Sequence, residues 1–578
     1  MEEQLTFEFE PLPTIKGFPE LRWTGKRPYR STQFFPAQLR ETYGQEVNGW
    51  INKIFWGDNL QVMSHLLKEF RGKIDLIYID PPFDSKADYK KKIDIRGVGK
   101  ALSDSSSFEE KQYGDIWIND EYLQFMYERL ILLKELLAEG GSIYLHCDWH
   151  KSHYLRAIMD EVFGPNNFKN EIIWYYRRWN IASSSFATNH DTLLFYTKSG
   201  AKHTYNQLYI PKSEKSSAQG KSWKSVIGED GVRRSIQTDE PTKGVPMPDV
   251  WEISMINPVA KERTEIGYPT QKPEALLERI ITASSNPGDI VFDCFMGSGT
   301  TQAVAMKLGR RFIGADINLG AVQTTTKRLI KVAKDVSVSL HPNCETRYTD
   351  FEVYNVNNYD FFRNPIEARD LLISALEIQP FPQSKIWDGE LDGRMVKIMP
   401  VNRIATKADL QSLIDNLPYQ DYEKRKEESA SQPVERITIV CMGHEPDLKG
   451  SLEQELCNYK VDIEIVDILR DKSSLQLKRD SEAEIVREGD KLIIRAFYPM
   501  NLLQKLSLQK EYVEDWRQMV DSIMIDWNFD GVVMQPTVMD VPAKNDIVAG
   551  IYDIPEDAGT IKVKITDVLS ESLEVEVF

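Results

Sequence analysis

Residues 289–301 read DIVFDCFMGSGTT, an apolar strand pattern that runs directly into a glycine-rich turn. A short run of large apolar residues is typical of a parallel strand that is covered on both faces. Gly297 and Gly299 permit a tight turn and a close approach of the backbone to a ligand. The G-x-G spacing lacks the third glycine of a dinucleotide fingerprint and the Gly-Lys-Ser/Thr of a P-loop, which disfavours a pyrophosphate cradle. A glycine-rich turn that only packs is the alternative.

The sequence around this turn alternates between predicted strands and helices. Asp316 ends the next predicted strand, 311–316, about where a carboxylate meets ribose hydroxyls in a nucleoside-binding fold. The alternation predicts an α/β protein with a doubly wound, mostly parallel, Rossmann-like sheet. Further strands are predicted at 74–79, 142–146 and 289–293, and helices at 122–137, 153–163, 274–284, 300–308 and 318–333.

A second motif, Asp80-Pro81-Pro82-Phe83, follows the strand pattern IDLIYI of residues 74–79. In open α/β sheets, ligands bind beyond the carboxyl ends of the strands. The two prolines fix the backbone and remove two N–H donors, so nearby carbonyl oxygens stay available as acceptors. A carboxylate, free carbonyls and an aromatic ring suit an exocyclic amine on a flat base. An ordinary strand-to-loop turn is the alternative for this motif taken alone.

Composition places the chain among globular proteins of several domains. It has 578 residues, 41% of them hydrophobic and 28% charged, which excludes the collagen-like, wholly disordered and disulfide-scaffold classes. The five cysteines include no CxxC pair, which favours a reducing compartment over a cysteine-based zinc site. The first residues, Met1-Glu2-Glu3, are unlike a signal peptide, and no apolar run approaches the ~18 residues of a membrane span. We therefore expect a soluble, cytoplasmic protein.

The net charge of −17 is unevenly distributed along the chain. Residues 341–578 hold 45 acidic and 27 basic side chains, whereas residues 1–340 hold 43 acidic and 44 basic ones. Because the N-terminal part is nearly neutral, the acidic total does not exclude nucleic-acid binding through local basic patches.

Together these motifs resemble those of the amino-group DNA methyltransferases, which transfer a methyl group from S-adenosylmethionine to N6 of adenine or N4 of cytosine. Residues 80–83 match the family's catalytic tetrapeptide, and residues 293–300 match its methyl-donor motif. Residues 270–273 (TQKP) and 57–59 (GDN) match two further donor-side elements. Since the catalytic motif comes first and a long variable stretch follows it, the chain resembles the permuted β group. This group includes the modification (Mod) subunits of type III restriction systems.

The resemblance implies S-adenosylmethionine as cofactor and assigns roles to individual residues. Asp80 and the Pro81 carbonyl accept hydrogen bonds from the target amine, Pro82 completes the motif, and Phe83 stacks on the flipped base. Asp80 favours adenine, because cytosine-N4 enzymes more often carry serine at that position. The residues expected to bind the cofactor are Asp58, Asn59, Asp80, Lys272, Asp293, Phe295, Gly297, Gly299, Thr300 and Asp316.

Neither a metal ion nor a nucleophilic cysteine is expected. Methyl transfer to an amine is a direct displacement that depends on positioning, so Cys294 is expected only to fill space at the strand end. His146, His150 and His153 suggest a metal site, but no pair of carboxylates accompanies them. We expect these histidines to be scaffold residues.

DNA contacts are expected from residues 165–260. The stretch 172–179, IIWYYRRW, interleaves aromatic residues with arginines, which suits base stacking and phosphate neutralisation. A strand with one buried face is an equal alternative. Residues 198–234 carry eight basic and three acidic side chains, which indicates a phosphate-tracking loop, with a merely solvated segment as the alternative. The expected DNA contacts are Arg177, Arg178, Lys212, Lys221 and Lys224.

The chain divides into five predicted regions. They are an extended N-terminal arm (1–50), a methyltransferase domain (51–164 and 261–335), a target-recognition region (165–260), an α/β accessory domain (340–475) and a β-rich C-terminal domain (476–578) that suits partner docking. The accessory domain resembles an Mrr-like nuclease core, where an acid and a Glu/Gln-x-Lys pair hold a divalent metal. Here Met395 stands in place of the Glu or Gln before Lys397, so we expect a non-catalytic scaffold. Residues 420–435 are predicted to form a loop.

The leading hypothesis is a site-specific adenine-N6 methyltransferase of duplex DNA, within a restriction-modification or other phage-defence system. The alternatives are an N4-cytosine enzyme, a methyltransferase acting on RNA or protein, and a non-catalytic DNA-recognition or partner-recruiting subunit. The resemblance to Mod subunits implies a homodimer and a separate helicase–nuclease restriction subunit, or another defence subunit, as partner. No membrane association is expected.

Overall fold

A ten-stranded mixed sheet dominates the computed structural model. The structure describes residues 6–13, 17, 20–82, 92–95, 99–102, 119–177, 186–200, 202–211, 222–227, 232–238, 244–256, 271–338, 347–356, 369, 372–373, 376, 378–381, 386–391, 393–400, 405, 407–428, 433–441, 448–467, 481–500, 502–503, 513, 515–543, 546–568 and 571–577.

The central sheet contains a parallel core with antiparallel strands toward its edges. Its strands are β1 (Ala37–Tyr43), β2 (Asn52–Trp56), β3 (Ile74–Ile79), β4 (Leu137–Cys147), β5 (Phe168–Tyr175), β6 (His190–Thr197), β7 (Val250–Glu252), β8 (Ile290–Asp293), β9 (Arg311–Asp316) and β10 (Phe351–Val356). Their spatial order is β7-β5-β6-β4-β3-β8-β9-β2-β10-β1. The run from β4 to β10 is parallel throughout. The doubly wound, mostly parallel α/β sheet predicted from the alternation is therefore present.

Within the described residues, six helices cover the two faces of this sheet. They are α1 (Asn59–Phe70), α2 (Asn119–Leu136), α3 (Ser152–Phe163), α4 (Glu274–Ser284), α5 (Thr300–Lys307) and α6 (Leu319–Val338). One apolar cluster packs α1, α2 and α3 against one face, and a second packs α4, α5 and α6 against the other. Burial of both faces explains why the strands read as continuous apolar runs.

The N-terminal segment corrects the prediction of an extended arm. Residues 37–43 form the edge strand β1, which pairs antiparallel with β10. Phe9 and Trp23 are buried, and the Trp23 ring meets Tyr127 of α2 edge to face. The prolines and irregular spacing conceal these contacts, because single aromatic anchors leave no periodic signal.

The region 165–260 contributes β5, β6 and β7 to the central sheet and also contains two small hairpins. Ser222–Ile227 pairs with Arg233–Thr238, and Tyr209–Ile210 pairs with Val245–Pro246. Val226, Val232 and Ile236 of the first hairpin are exposed to solvent.

The accessory region forms a separate five-stranded sheet. Its strands, in both chain and spatial order, are β11 (Gln379–Pro380), β12 (Gly389–Leu391), β13 (Arg394–Ile398), β14 (Glu435–Cys441) and β15 (Val461–Asp467). Its helices are α7 (Lys407–Asp415), α8 (Tyr419–Glu428) and α9 (Leu448–Glu455). Helix α8 occupies most of the predicted loop 420–435. Its Glu, Lys and Arg residues are good helix formers, but among residues 419–427 only Tyr422 is buried, so the apolar period is missing.

The C-terminal region consists mainly of strands and turns. Its strands are β16 (Glu482–Glu488), β17 (Lys491–Tyr498), β18 (Val520–Asp526), β19 (Val538–Asp540), β20 (Ile551–Asp553), β21 (Ile561–Asp567) and β22 (Ser572–Val577). Residues 531–534 (GVVM) do not form a strand in spite of their two valines, and Val532 is 71% exposed. Met534 instead exchanges backbone hydrogen bonds with β1, and Lys564 forms an ion pair with Glu41. This region therefore docks on the edge of the central sheet. Among the described residues, no helix is long and apolar enough to cross a membrane.

Candidate active site

Four aspartates lie at the carboxyl ends of neighbouring parallel strands. Asp58 follows β2, Asp80 follows β3, Asp293 ends β8 and Asp316 ends β9. These strands are adjacent in the sheet, so their carboxylates line one edge of it. Ligands of open α/β sheets bind at this edge, and the negative charge favours a ligand that carries cationic groups.

The glycine-rich turn between β8 and α5 is held in shape by hydrogen bonds. Asp316 accepts hydrogen bonds from the N–H of Gly297 at 2.9 Å and of Asn318 at 2.8 Å. Gly297 and Gly299 have left-handed φ angles of 51° and 69°, which glycine adopts at little cost. A Cβ atom at Gly299 would also collide with Thr325. These contacts and the glycine backbone hold the turn in this conformation.

Asp293 is buried beneath this turn, and both of its carboxylate oxygens accept hydrogen bonds. The Phe295 N–H donates to Oδ1 at 2.9 Å, and the Thr301 hydroxyl donates to Oδ2 at 2.6 Å. Burial raises the pKa of Asp293 from 3.8 to about 7. The charge of Asp80 adds to the rise, while the two hydrogen bonds and Lys272 oppose it. The side chain of Asp293 thus holds the turn and titrates near neutral pH.

Asp58 caps helix α1 and remains partly open to solvent. Its Oδ1 accepts hydrogen bonds from the first N–H groups of the helix at 3.0 and 3.4 Å. Arg129 of α2 reaches Asp58 Oδ2 at 3.2 Å and donates to Asn59 Oδ1 at 2.5 Å. The Asn59 amide in turn donates to the Cys294 carbonyl at 3.3 Å. Asn59, predicted at the cofactor, is therefore a buried link between α1, α2 and β8.

Three further residues of the donor motif point into the protein to different degrees. Thr300 is buried, and its hydroxyl accepts a hydrogen bond from Arg328 of α6 at 2.9 Å. Phe295 is half-buried, with its ring centroid 6.2 Å from that of Phe125. Burial raises the pKa of the Cys294 thiol well above its usual value, which fits the expectation that this thiol is no nucleophile.

Asp80 has one engaged and one open oxygen. Its Oδ2 forms an ion pair with Lys272, which lies just before α4. Its Oδ1 is buried and has no hydrogen-bond donor among the residues that the structure describes. A buried acceptor without a donor is costly, so Oδ1 is suited to receive a donor from a ligand. Pro81 and Pro82 follow, whereas Phe83 lies outside the described residues.

A buried histidine lies beside the open oxygen of Asp80. His146 Nδ1 is 3.5 Å from Asp80 Oδ1 and 2.9 Å from the Tyr78 hydroxyl. His146 Nε2 is 3.4 Å from Asp191 Oδ2, and the Tyr176 hydroxyl donates to the other oxygen of Asp191 at 3.0 Å. By contrast, His150 is half exposed and pairs with Asp148 at 2.7 Å. Within the described parts of the chain, no cluster of side chains suits a metal ion.

The predicted DNA contacts are only partly within the described residues. Arg177 is 81% exposed and lies 3.2 Å from Glu252, while Arg178, Lys212 and Lys221 lie outside these residues. Lys224 belongs to the hairpin strand Ser222–Ile227. Trp174 is buried, and its indole N–H donates to the Ile253 carbonyl at 2.9 Å. The described part of this stretch therefore buries Ile172, Trp174 and Tyr176, while Arg177 is accessible.

In the accessory sheet, the acid that corresponds to the nuclease-like pattern is Asp388, and both of its carboxylate oxygens have partners. Asp388 Oδ2 accepts a hydrogen bond from the Ile398 N–H at 2.7 Å and lies 3.6 Å from Lys397 Nζ. Its Oδ1 is paired with Arg369. Because cations and a backbone donor occupy both oxygens, Asp388 is not arranged to bind a metal ion.

Sequence reasoning missed Arg129 and Asp191 and assigned His146 only to the scaffold. The position of His146 at the end of its predicted strand was a clue to its place in the site. Ile79 pairs with Leu145 in parallel register, so the residues that follow them, Asp80 and His146, lie side by side at the edge of the sheet. No comparable local signal marks Asp191, because it arrives on an antiparallel strand from the variable region.

Comparison with known proteins supports the same family. A family model described as DNA methylase, of the N6/N4 methyltransferase type, matches residues 74–327. The type II methyltransferase M1.MboII of Moraxella bovis is 32% identical over 252 residues, which cover 42% of this chain and 85% of that protein. The DNA adenine methyltransferase YhdJ of Escherichia coli K12 is 28% identical, with 48% of this chain and 82% of that protein covered. The type III StyLTI Mod subunit of Salmonella typhimurium LT2 is 26% identical over 48% of this chain and 53% of that subunit.

The chain belongs to the N6/N4 family of DNA methylases. It is a DNA methyltransferase whose methyl donor is S-adenosylmethionine.

Proposed function

We propose that this DNA methyltransferase modifies N6 of adenine at a specific site in duplex DNA, as part of a restriction-modification or other phage-defence system. The open Oδ1 of Asp80 carries the proposal, because an exocyclic amine provides the hydrogen-bond donor that this buried oxygen lacks. Aspartate rather than serine in the first position of the motif favours adenine. The similarity to YhdJ, a DNA adenine methyltransferase, supports the same choice.

The residues at the sheet edge suit S-adenosylmethionine. When bound, this cofactor supplies a methyl group on a positively charged sulfur. Asp316 and Asp58, at the ends of the two strands that follow β8 in the sheet, provide negative charge beside the glycine turn, which suits the cationic amino group and the ribose hydroxyls of an adenosine derivative. Lys272 is assigned here to Asp80 as well as to the cofactor, because its ammonium contacts the Asp80 carboxylate directly.

The protein's part in the reaction is to hold the target amine. The target base must leave the helix stack to reach a buried carboxylate. Asp80 Oδ1 and the Pro81 carbonyl then accept hydrogen bonds from the amine, and Phe83 stacks on the ring. These contacts turn the nitrogen lone pair away from the ring and toward the methyl group, so catalysis rests on orientation rather than on a covalent intermediate.

DNA contact is assigned to Arg177 and to the hairpin that contains Lys224. Arg177 is exposed near the carboxyl end of β5, on the side of the sheet that carries Asp191 and His146. The exposed apolar residues Val226, Val232 and Ile236 lie on the hairpin, where they suit contact with bases in a groove. A homodimer and a separate restriction subunit are part of the same proposal, by analogy with type III Mod subunits.

Long-read sequencing of plasmid DNA from a methylation-free host that expresses the protein tests the proposal. We expect N6-methyladenine at one defined motif, and no mark with the Asp80→Ala variant. A mark on N4 of cytosine would overturn the adenine assignment. No mark on any base, with donor binding retained in calorimetry, would support a non-catalytic recognition subunit instead.

A further inference from the structure

The buried histidine beside Asp80 has a role that the methyltransferase motifs do not describe. The His146 side chain is 0% exposed and lies between two carboxylates, Asp80 and Asp191. These residues come from three adjacent strand ends, of β3, β4 and β6. A polar ring buried this deeply is retained at a cost unless its nitrogens have defined partners.

The surroundings of His146 define which ring nitrogen carries the proton. Burial raises the pKa of Asp191, but hydrogen bonding and charge from His146, with Lys272 and Tyr176, outweigh burial and leave the pKa below its usual value. Asp191 is therefore ionised, and its Oδ2, 3.4 Å from Nε2, favours the tautomer that carries the proton on Nε2. Burial also raises the pKa of the Tyr78 hydroxyl well above its usual value, so this hydroxyl keeps its proton and donates to Nδ1.

This tautomer leaves Asp80 Oδ1 free for the substrate. In this tautomer Nδ1 carries no proton and accepts a hydrogen bond from the Tyr78 hydroxyl, so it has no N–H to donate to Oδ1 at 3.5 Å. Lys272 engages Oδ2, so the carboxylate is held from one side only. With Nδ1 protonated instead, the ring would donate to Oδ1 and compete with the amine for it.

We propose that His146 is a positioning residue for Asp80, and that Asp191 fixes the His146 tautomer that keeps Asp80 Oδ1 open to the target amine. This inference rests on the proposed function. The proposed role of Asp191 is comparable to that of the aspartate in serine proteases, which holds the catalytic histidine in one tautomer. Replacing that aspartate with asparagine imposes the other tautomer and lowers the rate.

The Asp191→Asn substitution tests the assignment, because it keeps the shape of the side chain and places an N–H group toward Nε2. The imidazole must then carry its proton on Nδ1, beside Asp80. We expect kcat for DNA methylation to fall roughly tenfold to 100-fold, with KM for DNA, the calorimetric Kd for S-adenosylmethionine and the thermal unfolding midpoint little changed. The matched control is Asp148→Asn, which alters the carboxylate–imidazole pair with His150 at the neighbouring strand end and should leave kcat within about twofold.

A double-mutant cycle separates this role from a structural one. If the harm comes from the wrong tautomer, Asp191→Asn should have little further effect in a His146→Ala background. Equal losses of kcat in both backgrounds would overturn the proposal, as would an unchanged kcat in Asp191→Asn or a loss confined to cofactor affinity and unfolding midpoint.

His146→Ala also tests the assignment alone if Asp191→Asn does not fold. We expect about a tenfold lower kcat with donor binding retained, since Oδ1 loses the ring beside it; an unchanged kcat would overturn the proposal. The wild-type protein on the same DNA is the reference. If it transfers no methyl group, the proposed function itself fails, and the positioning role fails with it.

Discussion

Asp80 and Asp388 are buried aspartates at strand ends of two different sheets: Asp80 follows β3, and Asp388 precedes β12. Each is largely buried, at 16% and 6% side-chain exposure, and each lies beside a lysine. They differ in their free acceptors. Asp80 keeps Oδ1 without a donor among the described residues, whereas both oxygens of Asp388 are engaged, by Arg369, Lys397 and a backbone N–H. An aspartate beside a lysine thus indicates a reactive site only when one oxygen is left for a ligand.

The largest expected effect comes from removing the charge and one acceptor at the open site. Asp80→Asn should lower kcat for methylation by about 10²–10³-fold, the usual cost of losing one well-placed polar group in an active site. Asp388→Asn is the matched control and should change kcat by less than about twofold. Single-turnover assays with labelled donor measure both. Similar losses in the two variants would contradict the comparison.

A substitution of Lys272 tests what the ion pair with Asp80 Oδ2 contributes to catalysis. If this lysine mainly holds Asp80, Lys272→Met should lower kcat by about tenfold and leave the Kd for S-adenosylmethionine nearly unchanged. If it mainly binds the cofactor, as its motif predicts, the Kd should rise and kcat at saturating donor should recover. Isothermal titration beside steady-state kinetics distinguishes the two outcomes.

The sequence predicted the strands and the motif residues well, because these depend on local pattern. The strands at 74–79 and 311–316 and the helix at 274–284 have the predicted bounds. The contacts that distinguish Asp80 from Asp388 were not predictable in this way. Lys272 is 192 positions from Asp80, and the two meet only because of the order of strands in the sheet.

The accessory parts were predicted less well for a related reason. Helix α8 has almost no buried face, so the apolar period that marks a helix is absent from Tyr419–Glu428. Strand β1 lies at a sheet edge and owes its place to pairing with β10, more than 300 residues later in the chain. Helix α8 thus consists mainly of solvated side chains, and strand β1 depends on a partner strand that is distant in sequence.

Asp293 is a third case beside Asp80 and Asp388. It lies at the same sheet edge as Asp80, but both of its carboxylate oxygens accept hydrogen bonds, as those of Asp388 do. Its folded-state pKa is raised from 3.8 to about 7, so the folded protein holds this proton more tightly than the unfolded chain does. Stability from this group is therefore greatest at low pH and declines as pH rises toward 7. Relative to Asp293→Asn, the wild-type free energy of unfolding should fall by about 2 kcal/mol between pH 5 and pH 7. Urea unfolding at several pH values measures this, and parallel curves would contradict it.

The smallest expected effect on activity comes from a substitution near Asp388 in the accessory sheet. Met395→Glu restores the Glu-x-Lys pair that an Mrr-like nuclease uses, one strand away from Asp388. We nevertheless expect no Mg²⁺-dependent nicking of plasmid DNA, because Arg369 and the Ile398 N–H still occupy the oxygens of Asp388 and a divalent cation needs several open oxygen ligands at once. The double variant with Arg369→Ala is the control that frees Oδ1. Nicking by Met395→Glu alone would mean that Asp388 readily exchanges Arg369 and the Ile398 N–H for a metal ion. The difference between Asp80 and Asp388 would then come from their positions on the strands and not from a free acceptor oxygen.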